Sequence, residues 1–461
     1  MLNEVKLKKQ NLDENATLDL KERAAYGVGD FANNMMFAPV NSFMTYFLTN
    51  VAGINAGIVG TILLISRIFD GFTDLGVGVL MEKFRSKDGK ARPWLKWCAI
   101  PFGISLILLF TAPDIGMRGK IIYAFITYNL AVTIMYTAIN LPFGSLAAMM
   151  TRNQYERGVL NISKMIFAFS GGLFINMATL PMVEFFGGGA RGWQLTFVVF
   201  ATIAVVLYLV TYRFTKERVG VTEEGTVKKE EVDIKKALKA LLKNKYWVLL
   251  LVIFFFSSIS NALTGVNVYY CEYILNKPGL IAAFSLYSTI ASLATFACLS
   301  FFVKKFGKRN TALGGTIISL VACLLLLIAP TNLGMIYFTL LLKGVGNAAV
   351  AGTTYGMLAD TIEYSEWHSG IRAEGLVFSA NSIGSKIGSG IGAAALGWGL
   401  AFAGFISSSA TQSQGALDGI SFMFIVVPII LFAIQIIGLL MYKLDKEYDG
   451  IINELNMRKS K

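Results

Sequence analysis

Twelve apolar stretches, each of about 20 residues or more, follow one another along this chain with short polar connections between them. At 1.5 Å of rise per residue, roughly 20 residues of helix cross the ~30 Å hydrocarbon core of a bilayer. Within lipid the backbone must bond to itself, so stretches of this kind become helices. They cover approximately 24–50, 57–81, 94–113, 120–149, 158–183, 193–214, 246–276, 280–303, 310–328, 333–360, 373–407 and 419–443. Composition agrees: 55% of the residues are hydrophobic and 15% charged, whereas a soluble chain carries about 25% charged residues. The expected fold class is an all-α integral membrane protein.

The net charge of +12 suits a nucleic-acid binder in principle, but the positions of the charges exclude that reading. With the N-terminus in the cytoplasm, 34 of the 41 lysines and arginines fall in inward-facing segments. Arg118, Lys120, Arg191 and Lys277 fall outside, and Arg67, Lys343 and Lys386 lie within apolar runs. This asymmetry predicts a multi-pass protein of the plasma (inner) membrane with both termini cytoplasmic, in contact with lipid and not with nucleic acid. The first 23 residues are polar, show no cleavable signal pattern, and read as a solvated arm. Cys98, Cys271, Cys298 and Cys323 are far apart and without metal spacing, which makes them packing residues.

The longest polar connection follows the sixth run and divides the chain six plus six. The expected organisation is an arm over 1–23, a six-helix bundle over 24–214, a cytoplasmic loop over 215–245, a second six-helix bundle over 246–443 and a tail over 444–461. In the loop, Ile234, Leu238, Leu241 and Leu242 share one helical face, which fits a helix on the inner membrane surface and an ordinary linker helix equally well. The connection after the second run, "LMEKFRSKDGKARPW", is echoed after the eighth by "FFVKKFGKRNTALGG". An internal duplication with this layout favours the major facilitator architecture, twelve transmembrane helices in two six-helix bundles that rock about a midplane site. Gly384, Gly388 and Gly392 recur every fourth residue and read either as tight helix packing or as a sliding interface.

One charged group stands inside the second run, in "SRIFDGFTD". A charge at the centre of a membrane helix costs about 2.5–3.5 kcal/mol on insertion scales, so a cluster persists only if its members compensate one another or bind something. Asp70 and Asp74 are four apart and share a helix face, with Arg67 one turn before Asp70. Two carboxylates on one face make a hard-oxygen site for Na⁺, Li⁺ or a proton, and Arg67 balances them when no cation is bound. They are the metal ligands if the ion is sodium. Thr73 and, in the fourth run, Thr137 are candidate hydroxyl ligands. The competing reading is a salt-bridge staple between helices, but one acid satisfies Arg67 and the second invites a mobile cation.

Other polar intruders are Asp30, Asn33 and Asn34 in the first run, Asn140 in the fourth and Lys386 in the eleventh. Lys386 has no acid beside it on its own helix, and the aspartates of the second run are its natural partners, snorkelling being the alternative. The charges of "LADTIEYSEWHSGIRAEG", among them Asp360, Glu363 and Arg372, sit at a cytoplasmic end and read as an ion-pair gate or loop clasp. His368, the single histidine, reads there as a solvated loop residue. No nucleophile–base arrangement, phosphate-cradling loop or ATP motif appears, so the chain is not expected to be an enzyme, to carry a cofactor, or to run on ATP.

"YGVGDFANN", "SRIFDGFTD", "SKDGKARPW", "YTAINLPFGSL" and "LADTIEYSEWHSGIRAEG" together resemble the glycoside–pentoside–hexuronide:cation symporters, the melibiose carrier branch of the major facilitator superfamily. The resemblance runs from about residue 22 to 445. It implies that Asp70 and Asp74 bind the coupling cation, that Thr137 is a hydroxyl ligand, and that Arg67 and Lys386 stand in the same cluster. It further implies a sugar site beside them, with Asn33, Asn34 and Asn140 at its polar positions and Asp30 and Lys164 available nearby.

Melibiose carriers have aspartates where Asn34 and Asn140 stand and tryptophans near Gly144 and Ala351, so melibiose itself is not the expected sugar. The motifs look most like the glucuronide carriers and their β-xyloside-carrying relatives, and the reading leans to a glucuronide or hexuronide over a xyloside. Melibiose carriers also have Asn in place of Thr73, which leaves Na⁺ and H⁺ both open. The expectation is a monomeric, cation-coupled sugar importer. Its rivals are a proton-coupled exporter of amphipathic drugs or lipids on the same fold and a non-transporting membrane sensor.

Overall fold

The computed structural model describes residues 17–83, 86, 88–219, 241–370, 374–407 and 409–459. The amphipathic pattern at Ile234 and Leu238, and Arg372 of the expected gate, lie outside these residues. Twelve long helices and a shorter thirteenth are present among them. They are α1 (Leu20–Tyr46), α2 (Ala56–Lys83), α3 (Arg92–Leu109), α4 (Met117–Met150), α5 (Gln154–Phe185) and α6 (Gly189–Phe214). Then come α7 (Lys245–Ile274), α8 (Leu280–Phe306), α9 (Lys308–Ile328), α10 (Leu333–Ser369), α11 (Glu374–Phe402), α12 (Gln414–Ser421 continuing through Val427–Met441) and α13 (Leu444–Lys459). Nine helices in the described residues are apolar and long enough to cross a membrane. α1 is not among them, because Asp30, Asn33, Asn34 and Asn41 interrupt it.

Local chemistry sets the helix ends. Asn153, Asn244 and Asn332 accept from backbone N–H groups of the first turns of α5, α7 and α10, satisfying donors that no helix can bond itself. Gly370 closes α10 in the left-handed region at φ 71°. α1 and α7 each finish in a single π-helical turn, Phe47–Val51 and Tyr270–Ile274. The same irregularity at the same place in each half is a structural trace of the duplication.

The chain forms two compact units, one of residues 1–40 with 69–227 and the other of 41–68 with 228–461. In the first, Phe110, Trp193 and Phe197 stack, and Phe102 meets Tyr208 edge-on. In the second, Tyr270 stacks on Phe424 at 3.9 Å. The segment 41–68 is bonded to later helices of its unit through Thr49 and Tyr269 hydroxyls 2.7 Å apart, Asn50 donating to Tyr273 Oη, and Ser407 donating to Ile54 O. Gly384, Gly388 and Gly392 back onto α7, against Leu251, Phe255 and Ile259. This stripe packs α11 inside the second unit. The opposite face of α11 packs on α2, with Gly390 against Arg67 and Gly397 against Ala56 and Gly60.

The two echoed loops are the same device twice. After Gly89, which has φ 112° and room for no side chain beside the Glu217 carboxylate, the N–H groups of Lys90, Ala91 and Arg92 all donate to Glu217, at 2.8, 2.9 and 2.7 Å. The Arg92 guanidinium donates to Tyr212 O near the end of α6. After Gly307, at φ 82°, Arg309 N donates to Asp445 and its guanidinium to Leu439 O and Leu440 O at the end of α12. A carboxylate just past the last helix of each half thus caps the third helix of that half, and an arginine of the loop returns to cap the last.

Glu22 and Arg23, which the sequence places in a solvated arm, lie within α1. Glu22 is buried and receives both Arg218 Nη atoms at 2.8 and 2.9 Å, while Arg23 forms a two-point pair with Glu156. The tail likewise forms α13, whose Ile451 and Leu455 are buried and whose Glu454 accepts from Trp367.

Candidate functional site

α2 carries Arg67, Asp70 and Asp74 on successive turns, as the spacing predicts. α4 brings Thr137 to them: its Oγ1 lies 3.3 Å from Asp70 Oδ1 and 3.2 Å from Asp74 Oδ1. Thr137 and Asp70 are buried and Asp74 is half-buried. The hydroxyl has one hydrogen for two carboxylates and keeps lone pairs of its own. Oxygens this far apart also have the spacing of adjacent ligands on one octahedral face, given metal–oxygen distances of about 2.3 Å. The set is hard oxygen throughout, fit for an alkali cation or proton. It carries no nitrogen or sulfur ligand of the kind that transition metals prefer, and no group of three or more His, Cys, Asp or Glu that could hold a metal ion exists among the described residues.

Thr73 does not join this set. Its hydroxyl donates to Phe69 O and Asp70 O of its own helix, both at 3.1 Å, the usual fate of a mid-helix threonine. Arg67 packs its stem on Gly390 of α11. Lys386 is one turn before Gly390 on that same helix.

The polar residues of α1 divide by role. Asn33 is 2% exposed, and both ends of its amide are in use: Nδ2 donates to Asp30 Oδ1 at 3.1 Å, and Oδ1 accepts from Tyr208 Oη at 2.6 Å. It ties Asp30 to Tyr208 inside the first unit. Asn34 donates its Nδ2 to Asp30 O at 2.9 Å, which leaves its carbonyl oxygen as an acceptor. Asn140 stands three residues after Thr137 on α4, on the same side of the helix, and is half-buried. One turn further, a side chain at Gly144 meets nothing within 4 Å. Lys164, on α5, holds its ammonium 5.6 Å from the Phe143 ring.

Of the expected gate, Asp360 is buried and receives Lys308 Nζ on both oxygens at 2.7 Å. It therefore clasps the second echoed loop to α10. Glu363 is one turn along α10, half-buried. His368 is exposed and stacked beside Tyr364. Sequence reasoning missed Tyr208 and Lys308; Tyr208 offers no local signal, while Lys308 lay within the quoted loop echo.

The sequence model of the family described as MFS/sugar transport protein matches residues 25–446. An isoprimeverose transporter of Lactiplantibacillus pentosus is 34% identical over 95% of this chain and 91% of its own length. A putative glycoside/cation symporter of Escherichia coli (strain K12) is 34% identical over 95% of both chains, and a glucuronide carrier protein homolog of that organism is 28% identical over 96% and 97%. Among solved structures, the nucleoside transporter NupG superposes with a TM-score of 0.65 at 12% identity, covering 92% of this chain and all of that one. A D-xylose–proton symporter gives 0.60 at 14%, over 89% and 96%; these two likenesses speak to the fold alone. Matched along almost its whole length to cation-coupled sugar carriers, the chain belongs to the MFS/sugar transport family, as one of the glycoside–pentoside–hexuronide:cation symporters.

Proposed function

We propose that Asp70, Asp74 and Thr137 bind the coupling cation of this symporter, and that Asp30, Asn34, Asn140 and Lys164 contact the sugar. The observation that carries the first part is the Thr137 hydroxyl standing between two carboxylates of a membrane helix. A cation seated among these three oxygens answers their charge with favourable contacts. Binding of cation and sugar is then positively linked if each favours the same arrangement, and by reciprocity each raises the other's affinity.

The substrate is a glycoside of the hexuronide or xyloside kind, and the coupling ion Na⁺ or H⁺. The carrier works as a monomer in the plasma membrane, importing its sugar, with both termini cytoplasmic and no cofactor beyond the ion. The distribution of basic residues supports that orientation. The open position at Gly144 and the acceptor of Asn34 support a sugar site on α1 and α4.

The test is uptake of labelled glycosides into proteoliposomes with an imposed Na⁺ or H⁺ gradient, for the native protein and Asp74→Asn. One sugar accumulates uphill only with a cation gradient, and the variant merely equilibrates it. Unchanged accumulation by the variant reduces the cluster to a structural staple.

A further inference from the structure

Asp30 has a built environment that the cation site does not explain. The chain of donors from Tyr208 Oη through the Asn33 amide ends on its Oδ1. The carboxylate only accepts, so the amide nitrogen must face it and the amide oxygen is left to accept from the phenol, which sets the orientation of the acid from behind. Tyr208 and Asn33 are fully buried and Asp30 is 8% exposed. No described donor reaches its Oδ2.

Lys164 stands on α5 beside Ser163, which packs against Gly27, one turn before Asp30 on α1. It forms no ion pair among the described residues, and its ammonium lies over Phe143, which itself stacks on Tyr26. The two helices are in close contact here. Gly27 of α1 is packed against Ser163 and Phe167 of α5, Gly171 of α5 against Phe31 and Asn34 of α1, and Ser163 Oγ donates to Arg23 O. An acceptor and a cationic donor thus stand on two closely packed helices, with no bond between them among the described residues.

We propose that Asp30 and Lys164 form a two-ended clamp for neighbouring sugar hydroxyls that makes this carrier select neutral glycosides over glycuronides, with Asn33 and Tyr208 as positioning residues. This rests on the sugar-binding reading above and narrows its substrate class. A hydroxyl both donates and accepts, so a vicinal diol gives a hydrogen to Asp30 and accepts one from Lys164. A sugar carboxylate satisfies Lys164 alone and brings a second negative charge to Asp30, which a low-dielectric site penalises.

The experiment is equilibrium binding of 4-nitrophenyl β-xyloside and 4-nitrophenyl β-glucuronide to the purified, detergent-solubilised protein; the two differ in the carboxylate at C5. The native protein is expected to bind the xyloside at least about tenfold more tightly, the scale of one hydrogen bond to a charged group. Asp30→Asn should weaken xyloside binding by a similar factor and bring the ratio close to one, and Tyr208→Phe should weaken it severalfold while keeping the preference. A native preference for the glucuronide, an unchanged ratio in Asp30→Asn, or binding of neither compound overturns the proposal. Because the readout needs no gradient, a protein that prefers the xyloside but never accumulates it uphill refutes the symport reading and leaves this one standing.

Discussion

Asp30 on α1 and the pair Asp70 and Asp74 on α2 are acids of one compact unit at membrane depth, and their oxygens are bonded in different ways. Asp30 ends a one-way chain in which each donor has a single acceptor, Tyr208 to Asn33 to Asp30. Asp70 and Asp74 both turn an oxygen to the one hydroxyl of Thr137. The first arrangement fixes an acceptor for something that binds by direction, such as a hydroxyl group. The second gathers oxygens round a point and suits something that binds by charge and distance. On the reading proposed above, the same residue type would serve recognition in one place and coupling in the other, with the neighbours deciding which.

The contrast can be broken most sharply at Asp74. Asp74→Asn should lower cation affinity by about a hundredfold or more, beyond the range that loss of an outer-shell partner costs. Sugar exchange without a gradient should persist. Cation titration of counterflow checks this, and loss of exchange together with accumulation would contradict the separation of roles.

Asn33→Ala comes next. It leaves Tyr208 Oη and Asp30 Oδ1 buried without their partner, at about 1–3 kcal/mol for each group. A lower melting temperature and weaker sugar binding are expected with cation dependence intact. A changed cation dependence joins the two acids into one site.

Thr137→Ala should weaken cation activation about tenfold, and Thr137→Ser should restore it, since the hydroxyl is the group at issue. Equal loss in both variants assigns Thr137 to packing instead. The smallest effect is expected at Thr73→Ala, within about twofold of the native protein, because that hydroxyl is engaged by its own helix backbone.

The parts legible in the sequence are those written in local spacing or in long apolar runs. Twelve helices follow from run length, and the shared face of Asp70 and Asp74 from a separation of four. Thr137 could be named as a candidate hydroxyl ligand, as could Thr73, and family resemblance favoured it, but nothing in the neighbourhood of residue 137 names a partner 63 residues away. Asn33 looked like a sugar ligand because an amide in a membrane helix needs a partner. Its partner, Tyr208, is 175 residues distant and reads locally as one more aromatic in an apolar helix. The glycine repeat at 384, 388 and 392 was visible for its regularity. The face of α11 that meets α2 mixes glycine with alanine and tryptophan, and no single-residue period marks it. Glu22 was misplaced in the arm because burial of a carboxylate depends on Arg218, far along the chain.

The paired loop clamps bear on how the protein is made. Lys90 and Glu217 are 127 residues apart, and at ~5–20 residues per second of synthesis the loop waits roughly 6–25 s for its carboxylate. The wait recurs in the second half, where Arg309 and Asp445 are 136 residues apart. Each half therefore receives the closing group only as its sixth span is completed, and the first half has all it needs to lock before any span of the second exists. A chain stopped just short of residue 217 lacks the carboxylate that caps its third helix.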